Sequence, residues 1–101
     1  MVVEFSIVPL GQGEELAKPV AQVLSLIDRS GLPYKATAMG TLVEGDWEAV
    51  FGLVKECHLC MRQHANRVLT HIAVDDREGA AGRLEGKVKD AENILGRMLK
   101  K

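Results

Sequence analysis

The stretch Thr41–Asp75, TLVEGDWEAVFGLVKECHLCMRQHANRVLTHIAVD, decides the fold. Its first four residues read as a short strand. Gly45-Asp46 then breaks the pattern, with Asp46 a candidate N-cap for the helix that follows. Within that helix Val50, Val54, Cys57 and Met61 form one apolar stripe, and Phe51, His58 and Ala65 widen it, so the helix should bury more than one face and run to about His64. From Arg67 the period changes from helical to alternating. Val68, Thr70, Ile72 and Val74 point one way and are assigned to the core, while Leu69, His71, Ala73 and Asp75 point the other. The stretch is therefore a strand, a helix and a strand.

Working outward toward the N-terminus gives the same unit again. Val2–Pro9 alternates Val3, Phe5 and Ile7 against Val2, Glu4, Ser6 and Val8, as a half-buried strand does, and Pro9 and Gly11 are expected to close it. From Glu14 or Glu15 the spacing of Leu16, Val20, Val23, Leu24 and Ile27 becomes helical, with Pro19 either in the first turn or at a kink. Gly31 stops this helix. Pro33–Met39 reads as a short strand joined closely, around Met39 and Gly40, to Thr41–Glu44. Toward the C-terminus, Leu84, Val88, Ala91, Ile94, Leu95 and Met98 predict a final amphipathic helix, with Lys100 and Lys101 near its negative end.

Two β-α-β halves in this order predict an α+β fold, a ferredoxin-like βαββαβ sandwich with an additional C-terminal helix. Its antiparallel sheet would have the order 4-1-3-2, with the two main helices on one face. The other face would present Val2, Val8, Leu69 and Ala73 beside Glu4, Ser6 and His71, too apolar a mixture for ordinary solvent surface. Sheet-to-sheet self-association is the expected way to cover it.

Length and composition bound the rest. The chain has 101 residues, 47% of them hydrophobic, which suits one ferredoxin-like domain over residues 1–101. Thirteen Lys and Arg balance fourteen Asp and Glu, for a net charge of −1, so the arithmetic gives no footprint for nucleic acid. No apolar run approaches the roughly 20 residues that span a bilayer, and the first residues lack the pattern of a secretory signal, so a cytoplasmic protein is expected.

Several residue sets carry candidate chemistry. Cys57, Cys60 and His64 stand at i, i+3 and i+7, so one helix face could offer zinc ligands; the preferred reading is an apolar stripe, because free cysteine packs as a small hydrophobe. A redox pair is disfavoured, since the thiols fall late in the helix, where the dipole opposes thiolate. Glu4, Ser6 and His71 would be neighbours on adjacent strands, but flat strands supply no nucleophile elbow. No phosphate-binding glycine fingerprint occurs.

The segments Ile7-Val-Pro-Leu-Gly11, Ser30-Gly-Leu-Pro-Tyr34, Met39-Gly-Thr-Leu-Val-Glu-Gly45, Cys57-His58 and Arg67-Val-Leu-Thr-His-Ile-Ala-Val-Asp-Asp-Arg77 resemble the small thiamine-binding protein family, in order and over nearly the whole chain. The resemblance implies a ferredoxin-like subunit assembled as a dimer or tetramer. It also implies binding of thiamine, or of a related pyrimidine or cationic heterocycle, with no catalytic cofactor and no turnover. By that likeness Met39, Gly40, Thr41 and Glu44 fall on the characteristic hairpin, His58 on its helix, and Asp75 and Arg77 on the late-strand motif. One departure is at Gln12–Lys18, where members commonly carry a serine-rich loop.

Thiamine would need a donor–acceptor edge for its aminopyrimidine and a flat apolar surface with negative charge for its thiazolium. Glu44 or Asp75 could balance the cation, and Trp47, just after the cap, is the aromatic residue expected at a rim. The alternatives are a structural or regulatory oligomer without a small-molecule ligand and, after it, an enzyme acting on a small heterocycle.

Overall fold

The computed structural model describes residues 1–11, 16–79 and 82–99, without the side chains of residues 85 and 87. Its elements are β1 (Val2–Leu10), α1 (Ala17–Arg29), β2 (Tyr34–Ala36), β3 (Thr41–Glu44), α2 (Trp47–Arg62), β4 (Arg67–Asp75) and α3 (Arg83–Leu95). The sheet order is β2-β3-β1-β4, the expected order read from the other edge, and every pairing is antiparallel. The chain is thus the ferredoxin-like sandwich with an added C-terminal helix.

Local chemistry explains most boundaries. Asp46 caps α2 by accepting the Ala49 N–H at 2.8 Å, which satisfies one of the amides a helix start leaves open. Pro19 occupies the third position of α1, inside the first turn where its missing N–H costs nothing; the proposed start at Glu14 or Glu15 lies outside the described residues. β1 runs one residue past Pro9, which still pairs with Val68. β2 is shorter than the segment Pro33–Met39 suggested, because residues 37–40 form the turn instead. α3 ends at Leu95, where Gly96 takes a φ of 72°, so Met98 falls beyond the helix; Lys100 and Lys101 lie outside the described residues.

The core fills the space between one sheet face and the two long helices. Val3 and Phe5 of β1, Val43 of β3, Val23 and Ile27 of α1, and Val50, Leu53, Val54, Cys57 and Met61 of α2 make one buried cluster. Each large member contributes about 1.5–3 kcal/mol by leaving water. The β1–β4 register sets Val3 opposite Val74, Phe5 opposite Ile72 and Ile7 opposite Thr70, so the assignment of Val68, Thr70, Ile72 and Val74 to the core side holds. The helices nevertheless leave one corner open: Ile72 and Val74 remain 41% and 39% exposed.

α3 sits apart from this core. Its principal contact is with β3, and Leu84, Val88 and Ala91 are only half-buried, while Ile94 is 86% exposed. The chain measures 47 × 29 × 21 Å with a radius of gyration of 15.1 Å, against about 13 Å for a compact chain of this length.

Candidate functional site: an apolar cavity at the β2–β3 turn

Thr37 builds the turn between β2 and β3. Its hydroxyl donates to the Gly40 carbonyl at 2.7 Å and accepts the N–H groups of Met39 and Gly40 at 3.2 and 3.1 Å. This closes the loop by side-chain-to-backbone bonds, as threonine does in tight turns. The turn lies against β1 so closely that a Cβ on Gly40 would stand 2.9 Å from the Phe5 carbonyl oxygen. Only glycine permits that approach.

Behind the turn lies a cavity of about 360 Å³ between the far end of β1, the turn and the start of α1. Phe5, Ile7, Leu16, Val20, Leu24 and Met61 supply much of its apolar wall. Met39, Gly40 and Thr41 form the rim and the inner wall on the turn side, and Thr41 is buried while Met39 is exposed. The volume falls in the range of small-molecule sites. Its described lining holds the hydroxyls of Thr37 and Thr41, but no charged side chain. Such a cavity takes a flat, largely apolar group and offers few hydrogen bonds for orientation. The first residues of the divergent Gln12–Lys18 segment lie outside the described residues, while Leu16 is part of the wall.

The remaining residues expected at the site stand elsewhere. Glu44 is at the other end of β3 and shares the parity of Leu42, opposite to buried Val43, so it points to the face away from α1 and α2. There its carboxylate accepts the Arg83 N–H at 2.9 Å and the Leu84 N–H at 3.3 Å. α3 needs this outside partner because Gly82 precedes it and has no side chain to cap with. Asp75 is on the same sheet face, with Val2 of β1 between it and Glu44. Two strand spacings, about 10 Å, therefore separate their backbones. Arg77 follows two residues after Asp75, past the end of β4, and is exposed. Trp47, 53% exposed, stacks on Phe51 with ring centroids 5.0 Å apart and planes at 12°. His58 bonds the Thr70 hydroxyl at 2.6 Å, tying α2 to β4. Within one chain the cavity therefore gathers Met39, Gly40 and Thr41 only.

The other candidate sets resolve into packing and surface contacts. Cys57 is fully buried with its thiol 4.0 Å from the Val23 carbonyl, and burial, aided by Cys60 and Glu56, pushes that thiol up to about 12. His64 bonds the Gln22 side-chain oxygen at 2.6 Å, and Cys60 reaches the same oxygen at 3.9 Å. Among the described residues no group of three His, Cys, Asp or Glu could hold a metal. Glu4, Ser6 and His71 do come together, lining a shallow groove of about 190 Å³ on the helix-free face, with Ser6 directly opposite His71. Sequence reasoning read Leu16, Val20 and Leu24 only as part of the apolar spacing of a helix; their i, i+4 and i+8 positions were the available sign of a shared wall. The capping of α3 by Glu44 went unseen, although the bare glycine before that helix signalled a missing cap.

Comparison with known proteins bears on this geometry. Residues 3–92 match the model of a family described as thiamine-binding protein. A UPF0045 protein of Mycobacterium tuberculosis is 36% identical over 96 residues, covering 94% of each chain. One from Methanocaldococcus jannaschii is 32% identical over 89 residues, or 88% of this chain and 89% of the relative. The crystal structure of the Methanocaldococcus protein superposes with a TM-score of 0.81 at 31% identity, over 89% of this chain and 93% of that one. A candidate thiamine biosynthesis/salvage protein from Thermotoga maritima superposes with a TM-score of 0.78 at 26% identity, over 89% and 96%. No helix among the described residues is long and apolar enough to cross a membrane.

Proposed function

This chain belongs to the thiamine-binding protein family, and from that premise we propose that it binds thiamine, or a related pyrimidine or cationic heterocycle, without turning it over. The supporting observation is the cavity of about 360 Å³ bordered by Met39, Gly40 and Thr41, residues that the family likeness singles out. An aromatic ring of the ligand enters between the turn and α1, and the Thr41 hydroxyl takes its polar edge. The cationic part stays toward the open side, since the described lining carries no charge. The protein acts as a cytoplasmic homo-oligomer, and neither nucleic acid nor membrane is its partner. Glu44, Trp47, His58, Asp75 and Arg77, which lie away from the cavity in one chain, join the site only through a neighbouring subunit or through a second binding position.

A purely structural or regulatory oligomer is the second reading. It is favoured by one observation: both carboxylate oxygens of Glu44 already serve α3, so the residue best suited to balance a cation is engaged.

Isothermal titration calorimetry with thiamine, thiamine phosphates and hydroxymethylpyrimidine separates the two. Saturable binding at roughly micromolar affinity, about −8 kcal/mol, abolished by Val20→Trp in the cavity wall, is the expected result. No heat up to roughly millimolar ligand, about −4 kcal/mol, or binding indifferent to Val20→Trp, sinks the cavity assignment.

A further inference from the structure

We infer that Cys60, His64 and Gln22 form a binding site for one zinc-class divalent ion, on the seam between α1 and α2 and outside the cavity. The site is built from side chains that the proposed function does not use.

The first observation is convergence. Gln22 stands on α1, while Cys60 lies in the last turn of α2 and His64 in the turn that closes it. The backbone N–H of His64 bonds the Met61 carbonyl at 2.9 Å, which keeps His64 one turn beyond Cys60, the spacing at which helix neighbours share a face. Both side chains reach the same atom across the seam. Gln22 Oε1 accepts from His64 Nε2 at 2.6 Å, and Cys60 Sγ stands 3.9 Å from that oxygen. A sulfur, an imidazole nitrogen and an amide oxygen from two helices thus meet at one place.

The second observation is availability. Cys60 and His64 are half-buried and Gln22 is exposed, so an ion reaches them from solvent. Among the described residues the side-chain hydrogen bonds of Cys60 and His64 go only to Gln22. The neighbouring candidates are closed to an ion at this place. Cys57 is fully buried with its thiol toward the Val23 carbonyl, and His58 is tied to Thr70. The helix stripe of Cys57, Cys60 and His64 therefore does not act as a set; Gln22 of the other helix takes the place of Cys57.

The third observation is the chemistry of the donors. Thiolate and imidazole are ligands that zinc prefers, at about 2.3 and 2.0 Å, and three protein ligands with a water make its open four-coordinate pattern. The end of α2 contributes as well. Its last carbonyls carry partial negative charge, so the dipole that opposes a bare thiolate at Cys60 favours a cation beside it. On binding, Cys60 gives its S–H proton to solvent and the imidazole proton moves from Nε2 to Nδ1, so each ion releases one proton. The ion then clamps α1 to α2 just outside the cavity wall, because Val20 and Leu24 flank Gln22, Met61 follows Cys60, and all three line the cavity.

Equilibrium dialysis of the reduced chain against Zn2+ and Cd2+, with ultraviolet absorbance to read the thiolate-to-cadmium charge-transfer band, tests the inference. Each chain should retain one ion. Cys60→Ser should abolish the band, and His64→Ala should weaken binding by at least the roughly tenfold that loss of a merely supporting residue costs at metal sites. Gln22→Ala should weaken it less, as befits a neutral oxygen ligand. Cys57→Ala, which leaves all three ligands in place, should keep the band and the stoichiometry, and zinc should protect Cys60 of the wild type from a thiol reagent. Circular dichroism confirms that each variant is folded. A band that survives Cys60→Ser, or that is lost in folded Cys57→Ala, overturns the choice of sulfur. Binding indifferent to both His64→Ala and Gln22→Ala overturns the site and leaves a simple contact of metal with thiol. No retained ion and no band with metal in excess over chain overturns it outright.

Discussion

Glu44 Oε2 accepts the backbone N–H of Arg83 at 2.9 Å, so a strand residue caps a helix that begins far along the chain. The second oxygen takes the next amide, that of Leu84. Removing the carboxylate leaves the first turn of α3 without a protein acceptor for these amides. Glu44→Ala is expected to cost about 0.5–2 kcal/mol, the range of a lost N-cap, and Glu44→Gln less, because one acceptor oxygen remains. Urea unfolding and amide exchange along α3 measure this. Equal protection of α3 in wild type and Glu44→Ala would show that apolar contact with β3, and not the cap, holds the helix.

Gly40 is the position where the backbone approach is tightest. Gly40→Ala places a Cβ against the Phe5 carbonyl, where the neighbouring atom belongs to the main chain of a central strand and cannot rotate away. Overpacking of this kind costs about 1–3 kcal/mol. The midpoint of urea unfolding should fall accordingly, and the cavity should deform with it, so ligand affinity drops along with stability.

Cys57 makes stability depend on alkaline pH. Burial pushes its thiol up from 9.0 to about 12 in the folded chain, so between those values the unfolded state releases a proton that the folded state retains. The contribution is fully present below about pH 9 and is lost as pH rises through the folded value near 12. Stability at pH 10 should therefore be lower in wild type than in Cys57→Ala when each is referred to its own value at pH 7. Parallel pH profiles for the two proteins would remove Cys57 as the cause.

The same burial predicts selective labelling. Cys60 is half-buried and Cys57 fully buried, so a thiol reagent should modify Cys60 in the native protein and reach Cys57 only on unfolding. Mass spectrometry after a short exposure distinguishes the two. Rapid modification of both thiols in native conditions would show that α1 and α2 separate readily.

The sandwich was legible because its signals are local. Alternation in Val2–Pro9 and Arg67–Asp75, the apolar spacing of α1 and α2, and the Asp46 cap each depend on neighbours within a few residues, and tertiary structure left them nearly unchanged. The candidate site was legible only in part. Met39-Gly40-Thr41 marked a turn, but the cavity behind it depends on Leu16, Val20 and Leu24 lying across from that turn. Periodicity cannot separate a residue that lines a hollow from one that fills the core. Glu44 shows the same limit from another side. A carboxylate at a strand end reads as free for a ligand until the fold brings in a helix that starts with bare amides.

The two edges of the sheet differ in reach: β4 has nine residues, whereas β2 has three and follows Pro33. The β2 edge therefore offers few backbone groups to an added strand, so the sheet is protected on that side against open-ended growth.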